Sequence, residues 1–166
     1  MRRWTGSLAL ILSLLAPSLL AQPATAQEIR VDRPVTLKSA KVVMNIDHFA
    51  FEGDQPTGLQ FLRKLSDYFR EQKTEARVVA IFHGAAGYML LDDAAYGRVR
   101  NWTAGNPYKA QIAELMKAGV EIEECAETMH LNRWGNADLL PGVKVNTGAN
   151  MRIIQLVQDG FVQIQP

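Results

Sequence analysis

The sequence predicts an α/β domain built on a parallel sheet that helices cover on both faces. Two observations support this prediction. Strand-like and helix-like segments alternate through residues 41–166, and the strand-like segments are continuous apolar runs rather than alternating ones. Such strands are typical of parallel sheets that are buried on both faces. Right-handed crossovers then bring the carboxyl ends of the strands to one edge of the sheet, where open α/β sheets bind ligands.

Two strands and a long helix are predicted in the first half of the domain. Residues 41–46 and 77–82 are apolar runs and predict buried strands. Between them, Thr57 and Gln60 have the spacing of a capping box at a helix start. Apolar residues then follow at helical intervals, namely Leu59, Leu62, Leu65 and Phe69. Residues 83–91 begin with a turn of small residues that opens another helix.

The second half predicts three further strands and three helices. In the first of these helices Asn106 is the expected cap, Pro107 the first helical residue and Gly119 the end. The strand at 120–124 follows and ends at Cys125. The remaining predictions are strands at 143–146 and 161–164, and helices at 127–134 and 149–159. Residues 92–105 carry no clear pattern.

The first 26 residues predict a cleaved signal peptide. Residues 2–3 are arginines, residues 8–20 are almost entirely apolar, and residues 24–26 (Ala-Thr-Ala) form a signal-peptidase site. The apolar run is well short of the roughly 20 residues that a spanning helix needs, which disfavours an uncleaved anchor. We therefore expect a periplasmic protein with an irregular segment at residues 27–40 and one domain at residues 41–166.

The charge of the mature chain argues against one class of partner. Removing the signal peptide with its two arginines leaves 16 basic residues against 17 acidic ones. No basic stripe remains, so we expect no nucleic-acid binding and no membrane association after processing. The mature length, about 140 residues, is enough to bury a core without disulfides.

Cys125 is the only cysteine. It can form no intramolecular disulfide, and a lone thiol outside the cytoplasm is buried, paired with another chain or reactive. It stands before the predicted short helix, whose N-terminal partial charge favours a thiolate. Glu121 and Glu123 share its strand face, and carboxylates close in space oppose ionisation. These residues leave a reactive thiol and an inert buried one as alternatives.

Three chemically active side chains follow predicted strands, namely His48, His83 and Cys125. Whether they meet depends on the strand order, which the sequence does not give. His83 is a candidate general base, or its ring caps the next turn. His48 follows Asp47, and adjacent side chains on an extended chain point apart. A zinc site built from the three has suitable ligand types but no spacing motif, so we expect neither a metal nor a cofactor.

Residues 119–129 (Gly-Val-Glu-Ile-Glu-Glu-Cys-Ala-Glu-Thr-Met) are followed by Asp-Leu-Leu-Pro-Gly-Val at 138–143. The chain closes with a helix at 151–158, then Asp-Gly-Phe and a last strand. Together with the strand before His83 and Gly84, these segments resemble the DsrE/DsrF-like (YchN-like) sulfur-relay family. The resemblance extends over residues 41–166.

The resemblance implies a three-layer α/β/α domain with a mostly parallel five-stranded sheet, assembled as a trimer or hexamer. It also implies a sulfur carrier or sulfurtransferase-type relay that holds a persulfide on Cys125 and exchanges sulfur with a donor or acceptor protein. The relay proteins of the family are cytoplasmic, whereas this chain is expected to be an exported member.

A second hypothesis is a non-enzymatic domain that binds a small ligand or assembles with partners. In that case Cys125 is structural. Cys125 and His83 are the candidate catalytic residues under the first hypothesis.

Overall fold

The computed structural model describes residues 28–166. The chain divides into two units, residues 1–34 and 35–166. In the first unit, residues 28–34 are exposed and form neither helix nor strand. The predicted signal peptide, residues 1–26, lies outside the described residues. None of the helices in residues 28–166 is long and apolar enough to cross a membrane.

The second unit contains seven strands, five α-helices and two 3₁₀ helices. In chain order they are β1 (Ser39–Ile46), β2 (Phe51–Glu52), β3 (Gln55–Pro56), α1 (Thr57–Glu71), β4 (Glu75–Phe82), a 3₁₀ helix (Gly84–Leu90), α2 (Asp93–Arg100), α3 (Lys109–Lys117), β5 (Val120–Cys125), α4 (Ala126–Asn132), a 3₁₀ helix (Asn136–Asp138), β6 (Lys144–Asn146), α5 (Ala149–Gln158) and β7 (Val162–Ile164).

Five strands form one parallel sheet in the order β6-β5-β4-β1-β7. The short hairpin of β2 and β3 stands apart from it. The predicted α/β fold with a five-stranded parallel sheet is therefore confirmed. Because β6 and β7 lie at opposite edges, α5 carries the chain across the whole sheet between them.

Each face of the sheet buries its own set of apolar side chains. On one face, alternate residues of β1, β4 and β5 pack against α1 and α3; this larger cluster includes Met44, Leu62, Phe82, Ile112 and Ile122. On the other face, a smaller cluster packs against α5. Its members are Val43, Val79, Ile81, Cys125, Ala149, Ile153, Leu156 and Phe161. Cys125 therefore lies on the face that α5 covers.

Two predicted helix starts were wrong in detail. Helix α1 begins after Pro56 and has no side-chain cap, so Thr57 and Gln60 form no capping box. Its long apolar face drives its formation instead, because Leu59, Leu62 and Phe69 are buried.

Helix α3 begins at Lys109, two residues after the position predicted from Pro107. The Asn106 side chain still accepts a hydrogen bond from the Tyr108 amide at 2.8 Å. Its own amide group donates to the carbonyls of Met89 and Leu91, at 2.8 and 2.5 Å, and this holds the turn against the 3₁₀ helix. The predicted end at Gly119 is confirmed, with φ of 91°.

Candidate functional site

The carboxyl edge of the sheet places four polar or nucleophilic residues in a row. Phe82 is in register with Ile46 and with Glu124, and Cys125 is in register with Asn146. Residues one step further along neighbouring strands also stand side by side, so Asp47, His83, Cys125 and Asn146 follow the same line. Because adjacent strands are about 4.8 Å apart, the backbones of His83 and Cys125 follow the neighbouring strands β4 and β5, an order that the sequence alone could not establish. His48 follows β1, two strands away from Cys125.

Cys125 is almost fully buried, with 3% of its surface exposed. Its Sγ accepts a hydrogen bond of 3.3 Å from the backbone N–H of Ala149, the first residue of α5. The predicted position of Cys125 directly before a short helix is confirmed. Cys125 is the N-cap of α4 but makes no side-chain cap bond there. The sulfur instead accepts from the backbone at the start of the ten-residue α5.

The two glutamates on the same strand face are neutralised by cations. Lys144 donates to Glu121 at 2.7 Å, and this bond lowers the pKa of the Glu121 carboxyl. Arg152 on α5 contacts the buried Glu123 carboxylate at 2.8 Å and, more distantly, Glu121 at 3.6 Å. Their negative charges are thus balanced locally by Lys144 and Arg152.

Glu124 lies on the opposite face of β5 and is fully buried. Burial raises the pKa of its carboxyl to about 8, with a smaller upward contribution from Cys125. Its Oε1 accepts the Cys125 amide at 3.1 Å, and among the described residues its Oε2 has no hydrogen-bond partner. A Cβ at Gly87 would approach Oε1 to 2.8 Å, so a larger residue there would displace the Glu124 carboxyl. The carboxyl is mainly neutral at pH 7 and adds little negative charge near the sulfur.

His83 is fixed by its backbone on both sides. Its N–H donates to the Ile46 carbonyl at 3.1 Å, and the next amide, of Gly84, donates to the Thr128 hydroxyl at 2.9 Å. Gly84 has φ of 56°, and a Cβ there would lie 3.0 Å from the carbonyl oxygen of Asp47. The position therefore requires glycine, because L-residues are strained in this region and the neighbouring atom is backbone.

The His83 ring does not cap the turn that follows it, which was one of the two alternatives for this residue. Its Nε2 lies 2.7 Å from Asn45 Oδ1 in a half-buried position. Burial lowers the pKa of the imidazole, and the negative charge of Asp47 opposes this in part. The ring is therefore neutral at pH 7, which is the form that can accept a proton.

Asp47 and His48 are in direct contact, contrary to the prediction that their side chains point apart. The Asp47 Oδ1 lies 2.6 Å from His48 Nδ1. The prediction assumed an extended chain, but β1 ends at Ile46 and His48 is in a bend. The hydrogen bond to His48 is the main reason that the pKa of Asp47 is lowered.

The candidate metal ligands do not come together. Within residues 28–166, no three His, Cys, Asp or Glu side chains are grouped in a way that could hold a metal ion. His130 is an exposed residue of α4.

The sequence analysis missed three participants, namely Asn45, Gln165 and the Ala149 amide. Gln165 donates to both Asp47 carboxylate oxygens at 3.1 Å and lies 3.4 Å from the Asn45 amide nitrogen. Asn45 did carry a signal, because it is the one polar residue in the run at 42–46, and it is buried. Gln165 and Ala149 carried none, since their roles depend on where β7 and α5 pack.

Comparisons with known proteins concern the fold. No protein-family model matches the chain, and no curated protein matches its sequence. Among solved structures, the protein of unknown function MTH1491 from Methanobacterium thermoautotrophicum is similar with a TM-score of 0.60 and 21% identity, over 76% of this chain and 99% of that one. The ychN protein from E. coli has a TM-score of 0.48 and 15% identity, with the same coverage. The match to MTH1491 shows that this chain shares the fold of that protein.

Proposed function

We propose that this protein is an exported DsrE-like sulfur carrier, in which Cys125 holds a sulfane sulfur as a persulfide. The observation that carries the proposal is the hydrogen bond from the Ala149 amide, at the start of α5, to the Cys125 sulfur. A helix N-terminus directed at a sulfur stabilises the negative charge that both a thiolate and a persulfide anion carry.

The reaction requires one nucleophilic sulfur and no resolving cysteine. The Cys125 thiolate attacks the terminal sulfur of a donor persulfide, R–S–SH. A new S–S bond forms at Cys125 while the donor S–S bond breaks, and the donor thiolate leaves with the bonding electrons. It then takes up the proton that Cys125 released, so the products are the Cys125 persulfide and R–SH. Transfer to an acceptor protein is the same step in reverse.

His83 is the group proposed to receive the Cys125 proton. It follows the strand next to β5, on the line that contains Cys125, and burial keeps its ring neutral at pH 7. A neutral imidazole accepts a proton readily, and on the way back it can return the proton to the leaving sulfur.

Sulfur must reach Cys125 from the side on which the sheet edge meets α4 and α5. A shallow depression is lined by Ala126, which follows Cys125 in the chain, and by Glu127, His130, Leu131 and Thr147. Because the thiol is only 3% exposed, the proposal requires the start of α5 to move aside when a donor docks. Thr147 and Gly148 form the short connection between β6 and α5. Because Thr147 is exposed and Gly148 packs against the Glu127 side chain, we expect this connection to be the point of opening.

Intact-mass measurement tests the proposal directly. The mature protein is incubated with a sulfane-sulfur donor at neutral pH and weighed before and after treatment with a reductant. We expect one reducible sulfur atom per chain on the wild type, none on Cys125→Ser, and slower loading on His83→Gln. If the wild type gains no sulfur while an unrelated reactive-thiol protein does, the carrier function is refuted.

A second function is favoured by the burial of Cys125 in an apolar cluster with Val79, Ile81 and Ile153. In that case the protein is a non-enzymatic binding or assembly domain, and the thiol is part of its core. It predicts that alkylating reagents reach Cys125 only after unfolding. It also predicts that Cys125→Ala changes stability alone, whereas the carrier function predicts alkylation of the native protein.

A homo-oligomer, trimeric or hexameric, is proposed together with the carrier function. Helix α5 leaves Met151, Ile154 and Val157 exposed at intervals of three residues, and Val162 on β7 is exposed nearby in the chain. Apolar residues in such an arrangement are often covered by another subunit. Light scattering of the mature protein should show an assembly that Ile154→Glu weakens, with Gln155→Glu as the matched control. A monomeric wild type would contradict the assembly.

Export to the periplasm is proposed from the sequence of residues 1–26. Expression of the full chain in a bacterium should yield a periplasmic product that begins at Gln27, as measured by mass spectrometry of the purified protein. Recovery of an unprocessed chain from the cytoplasm would contradict export.

A further inference from the structure

Four polar side chains form a continuous hydrogen-bonded chain beside the proposed sulfur site. It runs from Asp47 after β1 to Gln165 after β7, returns to Asn45 in β1 and ends at His83 after β4. The successive distances are 3.1 Å from Asp47 to Gln165, 3.4 Å from Gln165 to Asn45 and 2.7 Å from Asn45 to His83. Residues more than 100 positions apart in sequence therefore contribute to one array.

The charge of Asp47 determines the direction of every bond in this chain. The pKa of Asp47 is lowered, so its carboxylate is ionised at neutral pH and can only accept hydrogen bonds. Gln165 must therefore present its NH₂ group to Asp47, and both carboxylate oxygens lie 3.1 Å from that nitrogen. This leaves the Gln165 oxygen facing Asn45.

The same reasoning continues to the histidine. Asn45 donates from its NH₂ group to the Gln165 oxygen, so its own oxygen faces His83. An oxygen acceptor 2.7 Å from Nε2 requires that Nε2 carries the hydrogen. In a neutral imidazole the other nitrogen, Nδ1, then has a lone pair and no proton. The bond between His48 and Asp47 requires, in contrast, that Nδ1 of His48 carries a hydrogen.

We propose that Asn45 and Gln165 are positioning residues that hold His83 as the Nε2–H tautomer, with Nδ1 ready to accept the Cys125 proton. This inference rests on the proposed sulfur-carrier function and extends it, since it explains how Asp47, which is two strands away from Cys125, controls the base. Neither amide side chain contacts the sulfur. Their effect on Cys125 is exerted through His83 alone.

Nitrogen NMR of the histidine rings tests the tautomer without reference to sulfur chemistry. In the mature wild-type protein, labelled at histidine, we expect His83 to show a protonated Nε2 and an unprotonated Nδ1 at neutral pH. Gln165→Ala removes the group that orients the Asn45 amide, and Asn45→Leu removes the acceptor. Both variants should give a mixture of His83 tautomers. Gln163→Ala, on the same strand but outside the hydrogen-bonded chain, should leave the wild-type spectrum unchanged.

The rate of native-state alkylation of Cys125 by iodoacetamide tests the link to the thiol. Because a hydrogen bond contributes about 1 kcal/mol net, we expect Gln165→Ala and Asn45→Leu to slow alkylation about three- to tenfold, and Gln163→Ala to have no effect. Gln165 is exposed, so its variant is expected to fold even if the buried Asn45→Leu does not.

Two results would overturn the inference. One is a wild-type His83 with a protonated Nδ1; the other is a Gln165→Ala protein whose tautomers and alkylation rate match the wild type. The failure of the proposed function is distinguishable from both. In that case the expected tautomers and alkylation rates are observed, but the wild-type protein gains no sulfur by mass.

Discussion

The buried Glu124 makes a quantitative prediction about pH and stability. Its pKa is raised from an ordinary value of 4.5 to about 8 in the folded chain. A group whose pKa is raised by folding contributes stability that is fully present below the unfolded pKa and is lost as the pH rises through the folded pKa. The window for Glu124 is therefore pH 4.5 to about 8.

The magnitude follows from the two pKa values. Each pH unit across the window removes up to about 1.4 kcal/mol, which sums to about 5 kcal/mol at full effect. Relaxation and water penetration on ionisation reduce this figure, so we expect about 3 to 5 kcal/mol. Glu124→Gln keeps the shape of the side chain and an acceptor for the Cys125 amide but cannot ionise. The free energy of unfolding of Glu124→Gln should be close to that of the wild type at pH 4.5 and should exceed it by about 3 to 5 kcal/mol at pH 8.

Urea unfolding followed by circular dichroism at several pH values measures the difference. Other titrating groups are common to the two proteins and largely cancel in the comparison. Glu121→Gln is the matched control, because Lys144 lowers the pKa of Glu121. That variant should lose stability relative to the wild type near neutral pH, and the loss should vanish as the pH falls. Parallel pH profiles for the wild type and Glu124→Gln would refute the conclusion that Glu124 is buried in its neutral form.

Three further substitutions test separate parts of the structure by the same unfolding measurement. Arg152→Met leaves the buried Glu123 carboxylate without the guanidinium that lies 2.8 Å away in the wild type. The free energy of unfolding should fall by about 2–3 kcal/mol, a figure discounted for the partial exposure of Arg152. An unchanged stability would mean that water replaces the arginine. Gly84→Ala places a Cβ against the Asp47 carbonyl at positive φ, and the free energy of unfolding should fall by about 1–3 kcal/mol. Gly160→Ala is the control and should lose less stability, because its Cβ would meet no atom within 4 Å. Asn106→Ala removes the donor to two carbonyls and should cost about 2–3 kcal/mol; a loss under about 0.5 kcal/mol would contradict the structural role of this side chain.

The order of the elements could be predicted from the sequence because it depends on local patterns. The central strands β1 and β4 are largely apolar, α1 between them has helical spacing of its apolar residues, and the end of α3 was read correctly from Gly119. Helix α2 was missed because Asp93–Arg100 contains alanine, glycine and arginine and has only a weak apolar face. Its start at Asp92, whose side chain caps the Ala95 amide at 2.7 Å, was the available local signal.

The candidate site was predicted only in part, for a different physical reason. A strand end is a local property, so Cys125 and His83 could both be assigned to the carboxyl edge. Their adjacency depends on β4 and β5 being neighbours, and the bond to Cys125 depends on α5 crossing the sheet. No local pattern encodes either arrangement. The contact of Asn45 with Gln165 spans 120 positions and arises only when β7 joins β1.

The position of α5 and β7 at the end of the chain has a consequence for how this protein folds. Contacts between distant segments form after local ones, because closing a long loop costs entropy that only later contacts offset. The central strands are adjacent in the chain, whereas α5 and β7 come from its last segment. While that segment is undocked, the thiol of Cys125 lacks its cover and is open to oxidants. This chain should thus be most vulnerable to oxidation during folding, and a folding delay should show up as sulfonic acid at that cysteine.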